Sequence, residues 1–83
     1  MRVYNVCELD IDTGYILKID SYVTLKTAIN RAIVIIKENV KSEDYIFRFT
    51  DEATSYLKQG LNYEDKCGVV RIIVKDAIWG RLC

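Results

Sequence analysis

The longest periodic stretch of the chain covers residues 24–41, TLKTAINRAIVIIKENVK. Its apolar positions, Leu25, Ala28, Ile29, Ala32, Ile35, Ile36 and Val40, recur at intervals of three and four. That spacing lines them up along one side of a helix. Thr24 has the chemistry of an N-cap, since its hydroxyl can accept a free N–H of the first turn. Lys37 and Lys41 suit the negative pole at the other end.

Ahead of this helix the pattern has a period of two. Over residues 2–10, Val3, Cys7 and Leu9 share one face and Tyr4 and Val6 the other. Over residues 15–20, Tyr15, Leu17 and Ile19 alternate with Ile16, Lys18 and Asp20. Asp12-Thr13-Gly14 between them is a turn signal, so the pair predicts an antiparallel hairpin. Beyond the helix, Ser42-Glu43-Asp44 interrupts the pattern. The next five residues, YIFRF at 45–49, alternate again, with Tyr45, Phe47 and Phe49 opposite Ile46 and Arg48. They predict a strand whose aromatic side lies against the helix.

Residues 50–60 read in two ways. One is a short helix capped by Thr50, with Ala53, Tyr56 and Leu57 inward and Gly60-Leu61 closing it in a Schellman turn. The other is a strand at 54–57; the helix is favoured. Residues 62–68 read as a polar loop. Residues 69–75, VVRIIVK, predict a strand in which Val70, Ile72 and Val74 alternate with Val69, Arg71, Ile73 and Lys75. The fold expected is an α+β two-layer sandwich in the order β-β-α-β-α-β. A four-stranded, largely antiparallel sheet carries one long helix and a short second helix on one face, and residues 1–83 form a single domain.

Composition sharpens this picture. Half of the 83 residues are hydrophobic and proline is absent, which is too apolar for a disordered chain. Acidic and basic residues balance at 12 each, so no bulk charge draws the chain to nucleic acid or to a membrane surface. The longest apolar run, residues 32–36, falls far short of the roughly 20 residues that span a bilayer. The N-terminal MRVYNVCELD has no apolar signal region. Both features point to a cytoplasmic protein, or to host cytoplasm if a virus encodes it. Cys7, Cys67 and Cys83 are odd in number, lack metal-site spacing, and have no histidine beside them. They read as reduced thiols, with Cys7 packing as a small hydrophobe. A Cys7–Cys67 bridge is the alternative, and it requires the loop at Cys67 to lie beside the first strand.

Candidate chemistry is sparse. Without histidine the commonest general base and metal ligand are missing. The four glycines are scattered and make no phosphate-cradling loop. Glu8, Asp10 and Asp12 lack the glycine-centred pattern of a calcium loop. The chain is therefore expected to have no catalytic residues, no metal and no cofactor. The remaining lead is surplus apolar surface. Ile33 lies at the edge of the helix stripe and Val34 nearly opposite it, Ile46 and Ile73 fall on the outer side of the predicted sheet, and Trp79 sits near the C-terminus. Monomers rarely leave such surface in water, so these five residues are the expected interface with a protein partner, with a two-fold homodimer as the simplest arrangement.

Two other readings use different residues. Lys18, Arg48, Arg71 and Lys75, with Tyr4, would form a basic sheet face able to stack and neutralise RNA or DNA. Tyr15, Tyr45 and Tyr56 would line a small-ligand pocket between helix and sheet. A small, histidine-free chain rich in isoleucine, lysine and tyrosine resembles the short accessory proteins of phages and other mobile elements, including anti-CRISPR-type inhibitors of host defence. The resemblance lies in size and general style and carries over no residue. It implies a non-enzymatic protein that works by surface contact.

Overall fold

The first hairpin follows from its turn. The Asp10 carboxylate accepts hydrogen bonds from the backbone N–H groups of Asp12 (2.8 Å) and Thr13 (3.1 Å). Those two bonds hold its pKa below the ordinary aspartate value. Gly14 takes a φ of 77°, where a side chain would be strained, and its N–H reaches the Asp10 carbonyl at 2.8 Å. The chain thereby reverses between β1 (Arg2–Leu9) and β2 (Ile16–Tyr22), which pair antiparallel. This is a computed structural model, and it describes residues 1–76.

Helix α1 (Leu25–Asn39) begins at Thr24, whose hydroxyl oxygen accepts the Thr27 N–H at 3.3 Å. Ala28, Ile29, Ala32, Ile35 and Ile36 are buried, and Leu25 and Val40 pack at the margin of the core. The predicted stripe is the observed one.

The prediction for residues 45–49 is overturned. They lie within a second long helix, α2 (Glu43–Lys58), so Ile46 and Arg48 are helical and belong to no sheet face. Ser42 is its N-cap, accepting the Tyr45 N–H at 3.2 Å, and Glu43 and Asp44 sit in the first turn where the helix dipole favours them. The apolar positions Tyr45, Phe49, Ala53 and Leu57 are spaced by four. Phe49, Ala53 and Leu57 are buried. A short run with period two was thus the start of a longer run with period near 3.6. The favoured helical reading of residues 50–60 holds as its second half, but Thr50 is an interior residue donating to the Ile46 carbonyl rather than the cap, and Tyr56 is exposed. Gly60 (φ 81°) ends the helix in a Schellman turn, with Leu61 N–H on the Tyr56 carbonyl and Gly60 N–H on the Leu57 carbonyl, each at 3.0 Å.

The fourth strand is instead β3 (Tyr63–Glu64), inside the segment read as a loop, and it pairs with β4 (Val70–Asp76). The element order is β-β-α-α-β-β, and the sheet runs β2-β1-β4-β3 with every pairing antiparallel. The architecture remains a four-stranded antiparallel sheet with helices, of α+β class. One core joins the layers: Tyr4 and Val6 of β1, Val70 and Ile72 of β4, and the inward stripes of both helices. Cys7 and Cys67 are unbonded thiols, the first buried and the second exposed.

Candidate docking surface

The ladder register sorts the sheet by face. Tyr4 lies opposite Val74, and Val6 opposite Ile72, and these belong to the helix-side core. The alternating residues Val3, Asn5 and Cys7, opposite Lys75, Ile73 and Arg71, therefore point to the other face. Cys7 is buried there, and burial pushes its thiol pKa up while the Arg71 guanidinium pulls the other way. A reluctant thiolate suits a packing role.

The two edges of the sheet differ. At the β3 edge the loop after the strand is organised by one carboxylate. Asp65 is 3% exposed. Its Oδ1 accepts the N–H groups of Val69 (2.7 Å) and Val70 (2.8 Å). Its Oδ2 accepts the Cys67 N–H at 3.0 Å and the Tyr45 hydroxyl of α2. Nearby, the Tyr63 hydroxyl donates to Glu52 Oε1 at 2.5 Å. Burial is the main cause that raises the pKa of both tyrosines, and the adjoining carboxylates add to it. Phe49 and Tyr56 of α2 pack on the Tyr63 ring with centroids 5.8 and 5.1 Å away. Beyond the short strand, Asn62 Oδ1 takes the Val74 N–H at 2.8 Å. Between these groups lies a cleft of about 60 Å³ lined by Tyr45, Arg48, Phe49, Glu52, Tyr63, Asp65 and Lys66. That is room for a few waters and far below the several hundred Å³ of a small-molecule site. Its polar groups bond chiefly to one another and to backbone, which is structural work.

At the β2 edge the pattern reverses. Tyr15 is 74% exposed, Leu17 60% and Ile19 54%, and Ile16 and Ile11 are exposed as well. Among the described residues no strand pairs with the far side of β2, which ends the sheet. A seven-residue strand that no described strand pairs on one side, with apolar side chains along it, has the form of a template for a further strand. The sequence showed the alternation here. What it could not show was that this strand would be an edge, because strand order depends on β4 inserting beside β1.

The residues predicted for an interface do not form one patch. Ile33 and Ile46 are half-buried against the core. Ile33 lines a groove of about 410 Å³ between the helices with Leu25, Ile29 and Thr50, and Ile46 lines an adjoining hollow of about 400 Å³ beside the exposed Phe47. Val34 is exposed on α1. Ile73 is half-buried on the opposite, outer face of the sheet. Trp79 lies outside the described residues.

The predicted basic sheet face is not assembled either. Tyr4 is in the core. Lys18 pairs with Glu8, in line with the core residues Tyr4 and Val6, so it faces the helix side, and it is 3.9 Å from Asp20. Arg48 is on α2 and bonded to Asp44 at 3.1 Å. Only Arg71 and Lys75 share the outer face, and Arg71 is engaged by Glu64 at 2.9 Å. The three tyrosines of the predicted pocket are likewise dispersed: Tyr15 is exposed beside the turn, Tyr45 is on Asp65 and Tyr56 stacks on Tyr63.

Among the described residues no group of three His, Cys, Asp or Glu side chains is placed to hold a metal ion, and no helix is long and apolar enough to cross a membrane. No family model matches this chain, and no curated protein or solved structure is significantly similar to it.

Proposed function

We propose that this chain is a non-enzymatic binding protein that engages another protein through the open edge strand β2 and the apolar side chains along it. The observation that carries the reading is the row Tyr15, Ile16, Leu17 and Ile19, exposed together at a sheet edge that nothing described covers. Strand addition supplies main-chain hydrogen bonds, and alternating side chains supply selectivity. Such contact needs no catalytic group or cofactor. A small inhibitor that occupies a partner's surface, of the kind phages and mobile elements encode, requires nothing more than this edge. The place of action that goes with this reading is the cytoplasm.

The experiment compares the wild type with Leu17→Lys/Ile19→Lys as baits in the native host lysate. Both side chains are already in water, so the fold is retained, checked by circular dichroism. A partner held by the wild type and lost from the variant is the expected result. Identical captured proteins from both baits would remove β2 from the mechanism.

A further inference from the structure

The occupant of the β2 edge is written into its charge order, and we infer that it is a second copy of the same strand, paired antiparallel about a two-fold axis at Ile19. This rests on reading β2 as a docking edge and deepens it: the protein that the edge takes is the chain's own copy, and any other partner would have to displace that copy. The centre of the strand is Leu17-Lys18-Ile19-Asp20-Ser21. When two copies run antiparallel with Ile19 opposite Ile19, Lys18 of each faces Asp20 of the other, on the same side of the sheet. Opposite charges directly across an antiparallel pair stabilise it, and like charges there oppose it. The register with Lys18 facing Lys18, or Asp20 facing Asp20, is therefore disfavoured, and only the Ile19-centred one satisfies both charges twice.

Within the chain Lys18 stands opposite Glu8 of β1, and Asp20 has Lys18 and Arg31 beside it, so pairing across copies adds to a charge network already present. Lys18 reaches Asp20 of its own strand only at 3.9 Å. Arg31 lies 3.5 Å from the same carboxylate, yet its buried Nε makes no hydrogen bond. A lone lysine on an edge strand guards against pairing; a lysine with an aspartate two residues along does the opposite for its own copy. On the outer face, the same register sets the two Ile19 side chains together at the axis. Leu17 is the residue left over where the β1–β2 register shifts, so regular pairing is centred on residues 18–20. The product is a continuous eight-stranded sheet with both helix layers on one side, a closed and isologous arrangement.

The test uses the full chain in sedimentation velocity over a range of concentrations. The wild type is expected to be a dimer. Lys18→Glu sets a carboxylate against Asp20 of the other copy, twice per dimer, and should weaken the dimer roughly tenfold or more. Asp20→Lys should do the same by the opposite sign. An equimolar mixture of the two variants should restore a dimer, because the introduced glutamate then faces the introduced lysine while the native Lys18 faces the native Asp20. Since Asp20→Lys also disturbs Arg31 and Lys18→Glu also faces Glu8 of its own chain, hydrogen exchange of the wild type provides a second readout, with those amides of residues 17–21 that point away from β1 slowing as the dimer fills. A wild type that is monomeric throughout, a dimer indifferent to Lys18→Glu, or slowed exchange confined to other segments would each overturn the inference. A monomeric wild type that still loses its captured partner on the Leu17→Lys/Ile19→Lys change would end self-pairing alone and leave the protein-binding reading standing.

Discussion

The two margins of the sheet solve the same problem in opposite ways. At one, β3 is only two residues long. The backbone groups it leaves over are taken by side chains: Asn62 on Val74, and Asp65 on Val69 and Val70. Helix α2 closes over it through Tyr45, Phe49 and Tyr56. At the other, β2 runs seven residues with its apolar side chains in water. Short length, side-chain caps and helical cover are the means by which proteins blunt sheet edges. Among the described residues the β3 side uses all three, while β2 has only the inward-facing Lys18 and Asp20 and the irregularity at Leu17, and this contrast is what favours contact at the second side. Among the described residues the closed edge carries buried polar bonds and the open edge almost none, so stability and the proposed recognition fall on different sides of the sheet.

Mutation should show that separation. Asp65→Ala removes the acceptor of three backbone N–H groups and one hydroxyl. At about 1–3 kcal/mol for each donor left buried and unpaired, we expect a loss of about 3 kcal/mol or more, read in urea unfolding; a change under about 1 kcal/mol would show that the loop holds itself. Asn62→Ala frees a single, more exposed N–H and should cost about 1 kcal/mol, with faster exchange at Val74 as its local signature.

The third break is alkaline. The folded protein holds Tyr45 and Tyr63 above their ordinary value of 10.0. Their contribution is therefore complete below pH 10 and declines as pH rises toward the folded values, because the unfolded chain ionises first. Stability should fall above pH 10 more steeply in the wild type than in Tyr45→Phe. Parallel pH profiles for the two would contradict that assignment. On the open edge, by contrast, Leu17→Lys should change the unfolding free energy by less than about 0.5 kcal/mol while altering assembly and capture, and a large loss of stability would mean that β2 is already engaged within the monomer.

What sequence could and could not reveal follows the same divide. Helix α1 was legible because its stripe is long, and the first hairpin because Asp10 to Gly14 is a turn by composition and by bonding. The Gly60-Leu61 ending of α2 was legible for the same local reason. Residues 45–49 were misread because five residues alternating in polarity fit a strand as well as one turn and a half of helix. Only the continuation through Phe49, Ala53 and Leu57, together with the Ser42 cap, decides between them. The fourth strand escaped notice because Tyr63-Glu64 is too short to carry a period. In sequence Asp65 is one more acid of a polar loop. Its sole local sign is the glycine three residues on, and its worth comes from Tyr45, twenty positions earlier. The exposed row on β2 was the least visible, since whether Leu17 and Ile19 meet water is set by which strand stands at the margin.

That order of strands has one more consequence. The first strand and the last described one are neighbours in the middle of the sheet, with Arg2 opposite Asp76 and their side chains 3.4 Å apart. During synthesis the polypeptide must wait until β4 leaves the ribosome before the central pairing can close, and long-range closure of this kind makes folding slow.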